Sequence, residues 1–270
     1  MDKMKRILAI LGVVLLLAVF CLPLVYSGGT GEGAQGRFLG AAAAAVFIPM
    51  LVYVLMMAFK VFGPKTPAAG SIRNIVFDVG NVLIGFEWPE YLDSFGFSPE
   101  KREKIADATF RSPVWNERDR GSKAEEEYVQ EFVNAAPEYE EDIREILRRS
   151  PECIRPYDYS ESWVRYLADR GYRIFILSNY SRYMLDINRK DMTFLKYADG
   201  AIFSCEEKLI KPEDAIYRLL LDRYGLDPAE TVFMDDNPTN VEAAVRNGMK
   251  GIVFRSLDAT VSELEKLGVK

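Results

Sequence analysis

Asn74-Ile-Val-Phe-Asp78-Val-Gly-Asn-Val-Leu83 is the stretch whose reading decides the fold. Ile75, Val76 and Phe77 form an unbroken apolar run, the pattern of a strand buried on both faces of a parallel sheet. The run stops at Asp78, and Gly80-Asn81 then supplies turn chemistry. In open α/β sheets the ligand crevice lies beyond the carboxyl ends of the strands. A carboxylate placed there, followed by a tight loop whose Gly80 and Asn81 amides can face an anion, could attack phosphorus. An aspartate that merely caps a turn fits the same ten residues. The rest of the chain has to decide.

Beyond residue 156 the pattern repeats. A helical period over 160–170 stops at Gly171, and an apolar strand over 172–177 ends in Ser178-Asn179. A further strand spans 200–205, and a helix over 212–224 has proline near its start and Gly225 past its end. The strand over 231–234 ends in Asp235-Asp236, and a helix over 238–247 follows with Asn237 as its cap. A strand over 251–254 and a helix over 258–267 complete the chain. Strands alternating with helices of this length imply a doubly wound parallel sheet, the α/β class, built from 71–85 and 156–270. Residues 86–155 read differently, as polar, Glu- and Arg-rich helical segments punctuated by Pro113, Pro137 and Pro151. They are expected to form a small helical insertion.

Upstream lie two apolar runs, 7–26 and 38–59, each long enough at about 1.5 Å per residue to span a hydrocarbon core of roughly 30 Å. With the short Gly-rich segment between them they are expected to form a two-helix transmembrane hairpin over 1–62, joined by a linker at 63–70. Lys3, Lys5 and Arg6 precede the first run, Lys60, Lys65 and Arg73 follow the second, and only Arg37 lies between them. The positive-inside rule then predicts a membrane protein with two spans, both termini and the catalytic domain in the cytoplasm, and the lipid bilayer as partner through 7–59. A cleaved leader is the alternative for the first run and leaves the same orientation.

Composition removes other classes. The 270 residues carry 40 acidic and 34 basic side chains, a net charge of −6, which disfavours nucleic acid as a partner. Histidine is absent, so His-based triads and His-ligated metals are excluded. Three scattered cysteines, Cys21, Cys153 and Cys205, make neither a disulfide framework nor a zinc site. What remains is carboxylate, lysine and hydroxyl chemistry.

Asp78, Ser178-Asn179 and Asp235-Asp236 all fall at strand ends, which parallel connections bring to one rim, and Lys211 precedes a helix start. Three carboxylates about 5 Å apart repel by roughly 3 kcal/mol per pair at an effective dielectric near 20, more than one lysine offsets. A hard divalent cation such as Mg²⁺ would balance them. The lysine would hold nucleophile and phosphate together, and Ser178 would donate to a phosphoryl oxygen.

In this order, Phe77-Asp-Val-Gly-Asn-Val-Leu83, Leu177-Ser-Asn179, Lys211-Pro212 and Phe233-Met-Asp-Asp-Asn-Pro-Thr-Asn240, the chain resembles the haloacid dehalogenase-like superfamily. Within it, the likeness is to bacterial sugar-phosphate phosphatases and the phosphatase domain of soluble epoxide hydrolases. The 86–155 insertion, with its Gly121-Ser-Lys-Ala-Glu125 segment, resembles that branch's cap. The resemblance implies a Rossmann-like core in which Asp78 forms an aspartyl-phosphate, Ser178 and Asn179 bind the phosphoryl group with the Gly80-Asn81 loop, and Lys211 stabilises the developing charge. It further implies Mg²⁺ held by Asp78, the Gly80 carbonyl, Asp235 and Asp236, with Asn240 bracing the metal loop. The usual pattern has a second aspartate, the general acid and base, where this chain has Gly80. Its absence would favour leaving groups that depart without help, unless a residue such as Glu117 or Asp119 replaces it. The expectation is thus a membrane-anchored, Mg²⁺-dependent phosphomonoesterase acting on a small sugar phosphate. A metal-independent dehalogenase and a catalytically silent membrane scaffold are the alternatives.

Overall fold

The computed structural model describes Tyr53 and residues 71–270. The strands are β1 (Asn74–Phe77), β2 (Ile84–Phe86), β3 (Ile154–Pro156), β4 (Arg173–Ser178), β5 (Gly200–Phe203), β6 (Thr231–Asp235) and β7 (Lys250–Val253). Between β2 and β3 run α1 (Trp88–Asp93), α2 (Pro99–Ala108), α3 (Pro113–Arg120), α4 (Glu125–Ala135) and α5 (Glu140–Arg149). The others are α6 (Ser160–Asp169), α7 (Arg182–Asn188), α8 (Ser204–Glu207), α9 (Asp214–Tyr224), α10 (Pro238–Arg246) and α11 (Leu257–Lys266).

Five strands form one parallel sheet in the order β5-β4-β1-β6-β7. β1 is the middle strand and all four of its residues are buried. The pleat divides them between two cores. Ile75 and Phe77 pack with Ile176, Met234 and residues of α6, and Phe77 meets Trp163 edge-on at 5.0 Å. Val76 packs on the other face with Phe175, Phe233, Tyr217 of α9 and Ala243 of α10. Helices cover both faces, so the sheet is the doubly wound parallel one that the apolar runs imply.

Two local features depart from the sequence reading. The strand expected over 200–205 ends at Phe203, and Ser204–Glu207 turns into a helix. The Ser204 hydroxyl accepts from the Tyr180 amide at 2.9 Å and donates to the Asp119 carbonyl at 2.5 Å, drawing the chain out of the ladder. The antiparallel ribbon of β2 and β3 was not expected, because each strand has only three residues and shows no readable period. That ribbon is the base on which the helical segment stands.

The expected two-helix membrane hairpin and membrane localisation are corrected here. Among the described residues no helix is long and apolar enough to cross a membrane. The longest, α4 and α9, have 11 residues each, about 16 Å at the helical rise, against a hydrocarbon core of roughly 30 Å. The runs 7–26 and 38–59 on which that expectation rested lie outside the described residues, and the bilayer partner is withdrawn with it.

The close approach of α9 to the sheet makes a stability prediction. A Cβ built on Gly200 would lie 2.3 Å from the Tyr224 ring, whose hydroxyl donates to the Ala201 carbonyl. Gly200→Ala should therefore cost about 1–3 kcal/mol by overpacking, measured by denaturant unfolding. An unchanged midpoint would show that the ring yields freely.

Candidate active site

Strand pairing brings the carboxylates together. In the β1–β6 register Phe77 lies opposite Met234, and the Asp78 amide donates to the Met234 carbonyl at 2.9 Å. Asp78, just past β1, and Asp235, the last residue of β6, therefore come level at one rim, with Asp236 following. Carboxylate oxygens of the three lie within 4.8 Å of one another. Lys211 arrives from the loop between α8 and α9, its Nζ 2.8 Å from Asp78 Oδ1 and 2.6 Å from Asp235 Oδ2. Its side chain is 1 % exposed.

Each charged group has its own support. The Asn179 side chain clamps the Lys211 backbone in both directions, donating to its carbonyl at 3.0 Å and accepting from its amide at 2.9 Å. The Asn240 amide donates to both oxygens of Asp235 at 3.0 Å, and the Asn237 backbone N–H adds a bond at 2.8 Å. With Lys211, these donors engage both oxygens of a fully buried carboxylate. Asn81, at φ 53° in the left-handed region that asparagine tolerates, donates to Asp236 Oδ2 at 2.9 Å and so ties the β1 loop to the β6 loop.

The electrostatics leave the site short of positive charge. Burial pushes the Asp78 carboxyl up to about 7; Lys211 opposes the shift and Asp235 and Asp236 add to it. Asp236 is also shifted upward, first by burial, with Asn81 opposing and Asp235 adding. Burial works against the charge of Lys211, yet Asp235 and Asp78 outweigh it and hold the ammonium above its ordinary range. One ammonium faces three carboxylates. The donor set is all oxygen, with the open positions on Asp78 and the partly exposed Asp236, and it suits a hard divalent cation.

Asp78, Gly80, Asn81, Asn179 and Asp236 line one cavity. Four expected residues do not: Lys211, Asp235 and Asn240 are buried among their own hydrogen bonds, and Ser178 is buried with its hydroxyl 3.4 Å from the Asn179 carbonyl. Ser181, which caps α7, lines the cavity instead. The other walls come from residues that the sequence reading passed over: Phe86, Trp115, Ile154, Tyr180 and Met184. Asp119 joins them, whereas Glu117 does not. Trp115 and Asp119 stand four apart on α3, so helical spacing from the buried Trp115 points to Asp119.

Gly80 is not imposed by space or backbone. A Cβ there would meet nothing within 4 Å, and its φ is not positive. Gly80→Ala should fold normally, with stability unchanged or raised by about 0.4–1 kcal/mol through the unfolded chain. A thermal midpoint several degrees lower would reveal a constraint that this geometry does not contain.

The haloacid dehalogenase-like hydrolase family matches residues 72–248. The chain is 26 % identical to flavin mononucleotide hydrolase 1 of Arabidopsis thaliana over 208 residues, covering 77 % of this chain and 82 % of that one. It is also 26 % identical to a sesquiterpene phosphatase of Aspergillus oryzae, covering 73 % of this chain and 97 % of the other. A haloacid dehalogenase-like family enzyme of Bacteroides thetaiotaomicron, solved with magnesium and inorganic phosphate, shares the fold at a TM-score of 0.56 and 21 % identity, covering 69 % of this chain and 96 % of its own. With a family match over residues 72–248, the span that contains the sheet, the helical segment and every carboxylate of the rim, this chain belongs to the haloacid dehalogenase-like hydrolases.

Proposed function

We propose that this hydrolase cleaves phosphate monoesters through a covalent phosphoryl group on Asp78. The observation that carries the reading is the placement of Asp78. One oxygen is held by a buried lysine, the other has no hydrogen-bond partner among the described residues, and the side chain lines the cavity. Such a carboxylate is oriented without being consumed.

In this reading Asp78 attacks phosphorus while Lys211 holds it in place and meets part of the incoming negative charge. The backbone of the Gly80-Asn81 loop and the Ser181 hydroxyl are the donors at hand for phosphoryl oxygens. Ser178, set back from the cavity, supports the strand end instead. Asn179 acts through Lys211, whose backbone it fixes. Mg²⁺ would be held by Asp78, Asp236 and the Gly80 carbonyl with Asp235 behind them, and when bound it would neutralise the crowded carboxylates and the phosphoryl charge. Asn240 keeps Asp235 in register for that set. The Bacteroides enzyme solved with magnesium and phosphate supports the choice of ion.

The helical segment over α1–α5 serves as a cap, contributing Trp115 and Asp119 to the cavity beside Phe86 of β2. Its walls are largely aromatic and apolar. We place a phosphorylated small molecule with an aromatic or apolar face ahead of the sugar phosphate expected from the sequence. The names of the two relatives, a flavin mononucleotide hydrolase and a sesquiterpene phosphatase, point the same way.

Two measurements test the reading. Asp78→Asn, nearly isosteric, should fold and lose turnover of an aryl phosphate; wild-type turnover in that variant would sink the covalent step. Activity should vanish in chelator, return with Mg²⁺ and be largely lost in Asp236→Ala. Undiminished aryl phosphate turnover in chelator would sink the metal requirement.

A further inference from the structure

We infer that Asp119 is the general acid and base of this site, doing from the helical segment what the carboxylate missing at position 80 would otherwise do. The inference rests on the phosphomonoesterase reading above. Of the two candidates in the stretch Asn116–Arg120, the structure separates one from the other. Glu117 is exposed and ion-paired with Arg120 at 3.2 Å. Asp119 is half-buried and lines the cavity that Asp78 lines.

Asp119 is also held in place. Its carbonyl accepts from the Ser204 hydroxyl at 2.5 Å, and its carboxylate accepts from the Ser181 backbone N–H. The next residue, Arg120, reaches Glu213 with both terminal nitrogens, at 2.9 and 2.6 Å. Gly121 follows at φ 70°, so close to Cys205 that an added Cβ would lie 3.1 Å from the Cys205 Cα, and its carbonyl accepts from Lys208 Nζ. Hydrogen bonds or ion pairs from Ser204, Ser181, Glu213 and Lys208, with the close Cys205 backbone, thus fix the turn that carries Asp119. A proton donor needs that precision, because transfer requires hydrogen-bond reach.

The proton is available where chemistry needs it. Burial pushes the Asp119 carboxyl up to about 7; Arg118 opposes the shift, and Asp78 and Glu125 add to it. Near neutral pH such a group both gives and takes a proton, the condition for acid–base catalysis. Tyr180 also lines the cavity, and its hydroxyl is buried with no hydrogen-bond partner among the described residues.

The step balances. As Asp78 bonds to phosphorus and the ester P–O bond breaks, the Asp119 carboxyl gives its proton to the departing alkoxide, which leaves as the alcohol. Water then attacks phosphorus, its proton passes to the Asp119 carboxylate, and inorganic phosphate leaves with Asp78 regenerated.

The experiment is a series of phosphate monoesters, from simple alkyl esters to dinitrophenyl phosphate, given to the full chain with Mg²⁺. The first-turnover release of alcohol or phenol is the readout. Wild type should depend only weakly on the leaving group. Asp119→Asn should lose roughly 10²–10⁴-fold on alkyl esters and little on dinitrophenyl phosphate, which departs without a proton. An equal loss across the series would mean a structural role and overturn the inference, as would no loss. Should the variant fail to fold, the wild-type series still decides, since a steep dependence there overturns the inference. If wild type cleaves none of the esters, the phosphomonoesterase reading has failed; if it cleaves them but Asp119→Asn keeps the same slope, only the assignment to Asp119 has.

Discussion

Everything on the rim depends on Lys211 Nζ standing between Asp78 and Asp235. The two aspartates are brought level by the β1–β6 pairing, which the chain cannot relax without breaking the central sheet. Two carboxylates at that separation in a buried place repel, and the ammonium at 2.8 and 2.6 Å is what makes the arrangement tolerable. Removing one partner of such a buried set typically costs about 3–5 kcal/mol, because the remaining charge is left uncompensated. The clamp of Asn179 on the Lys211 backbone explains how a long, flexible side chain is kept to a single pose. The third carboxylate, Asp236, is what the lysine does not balance, and it is also the more exposed one. Structural stability and the demand for a cation therefore arise from the same arrangement, divided between Asp235 on the inside and Asp236 on the outside.

The helical segment is governed by a second buried cation. Arg118 is 1 % exposed, pairs with Glu125 at 2.5 Å and lies 5.1 Å from the Trp115 ring and 5.8 Å from that of Tyr183. It joins α3 to the start of α4 and to α7 of the sheet domain. Since Arg118 and Asp119 are neighbours, the buried guanidinium fixes the rotation of α3 and with it the side from which Asp119 enters the cavity. A helix with so polar a sequence gains its orientation from one aromatic ring and one ion pair.

Much of this was legible in the sequence, for physical reasons that can be named. Buried parallel strands are unbroken apolar runs, so β1, β4 and β6 announced themselves, and the strand-end positions of Asp78 and Asp235 followed from connection rules. Helix caps such as Asn237 were equally plain. What stayed hidden depends on contacts between distant residues. Asp119 was named together with Glu117, but nothing in Asn116–Arg120, five polar residues that look like a solvated face, told those two apart or marked Arg118 as buried. Only the partners supplied by Ser204, Ser181 and Glu125 make Arg118 and Asp119 interior. Ser178 differs: a hydroxyl at a strand end looks available, but its side chain is buried, with its hydroxyl toward the Asn179 carbonyl. The β2–β3 ribbon was too short to have a period at all. The apolar runs at 7–26 and 38–59 were read from length and hydropathy alone, and no helix among the described residues has that character.

Gly80 has one more implication, in the currency of the genetic code. Glycine and aspartate codons can differ by a single base, and neither space nor backbone at this position resists a side chain. The acid found two residues after the nucleophile in the usual pattern is thus one mutational step away and sterically free to appear. What stands against it is charge. A fourth carboxylate would join Asp78, Asp235 and Asp236 at a rim with a single lysine, adding repulsion of roughly 3 kcal/mol for each neighbour about 5 Å away. If Asp119 delivers the proton, as inferred above, a carboxylate added at position 80 would bring that repulsion without a new function.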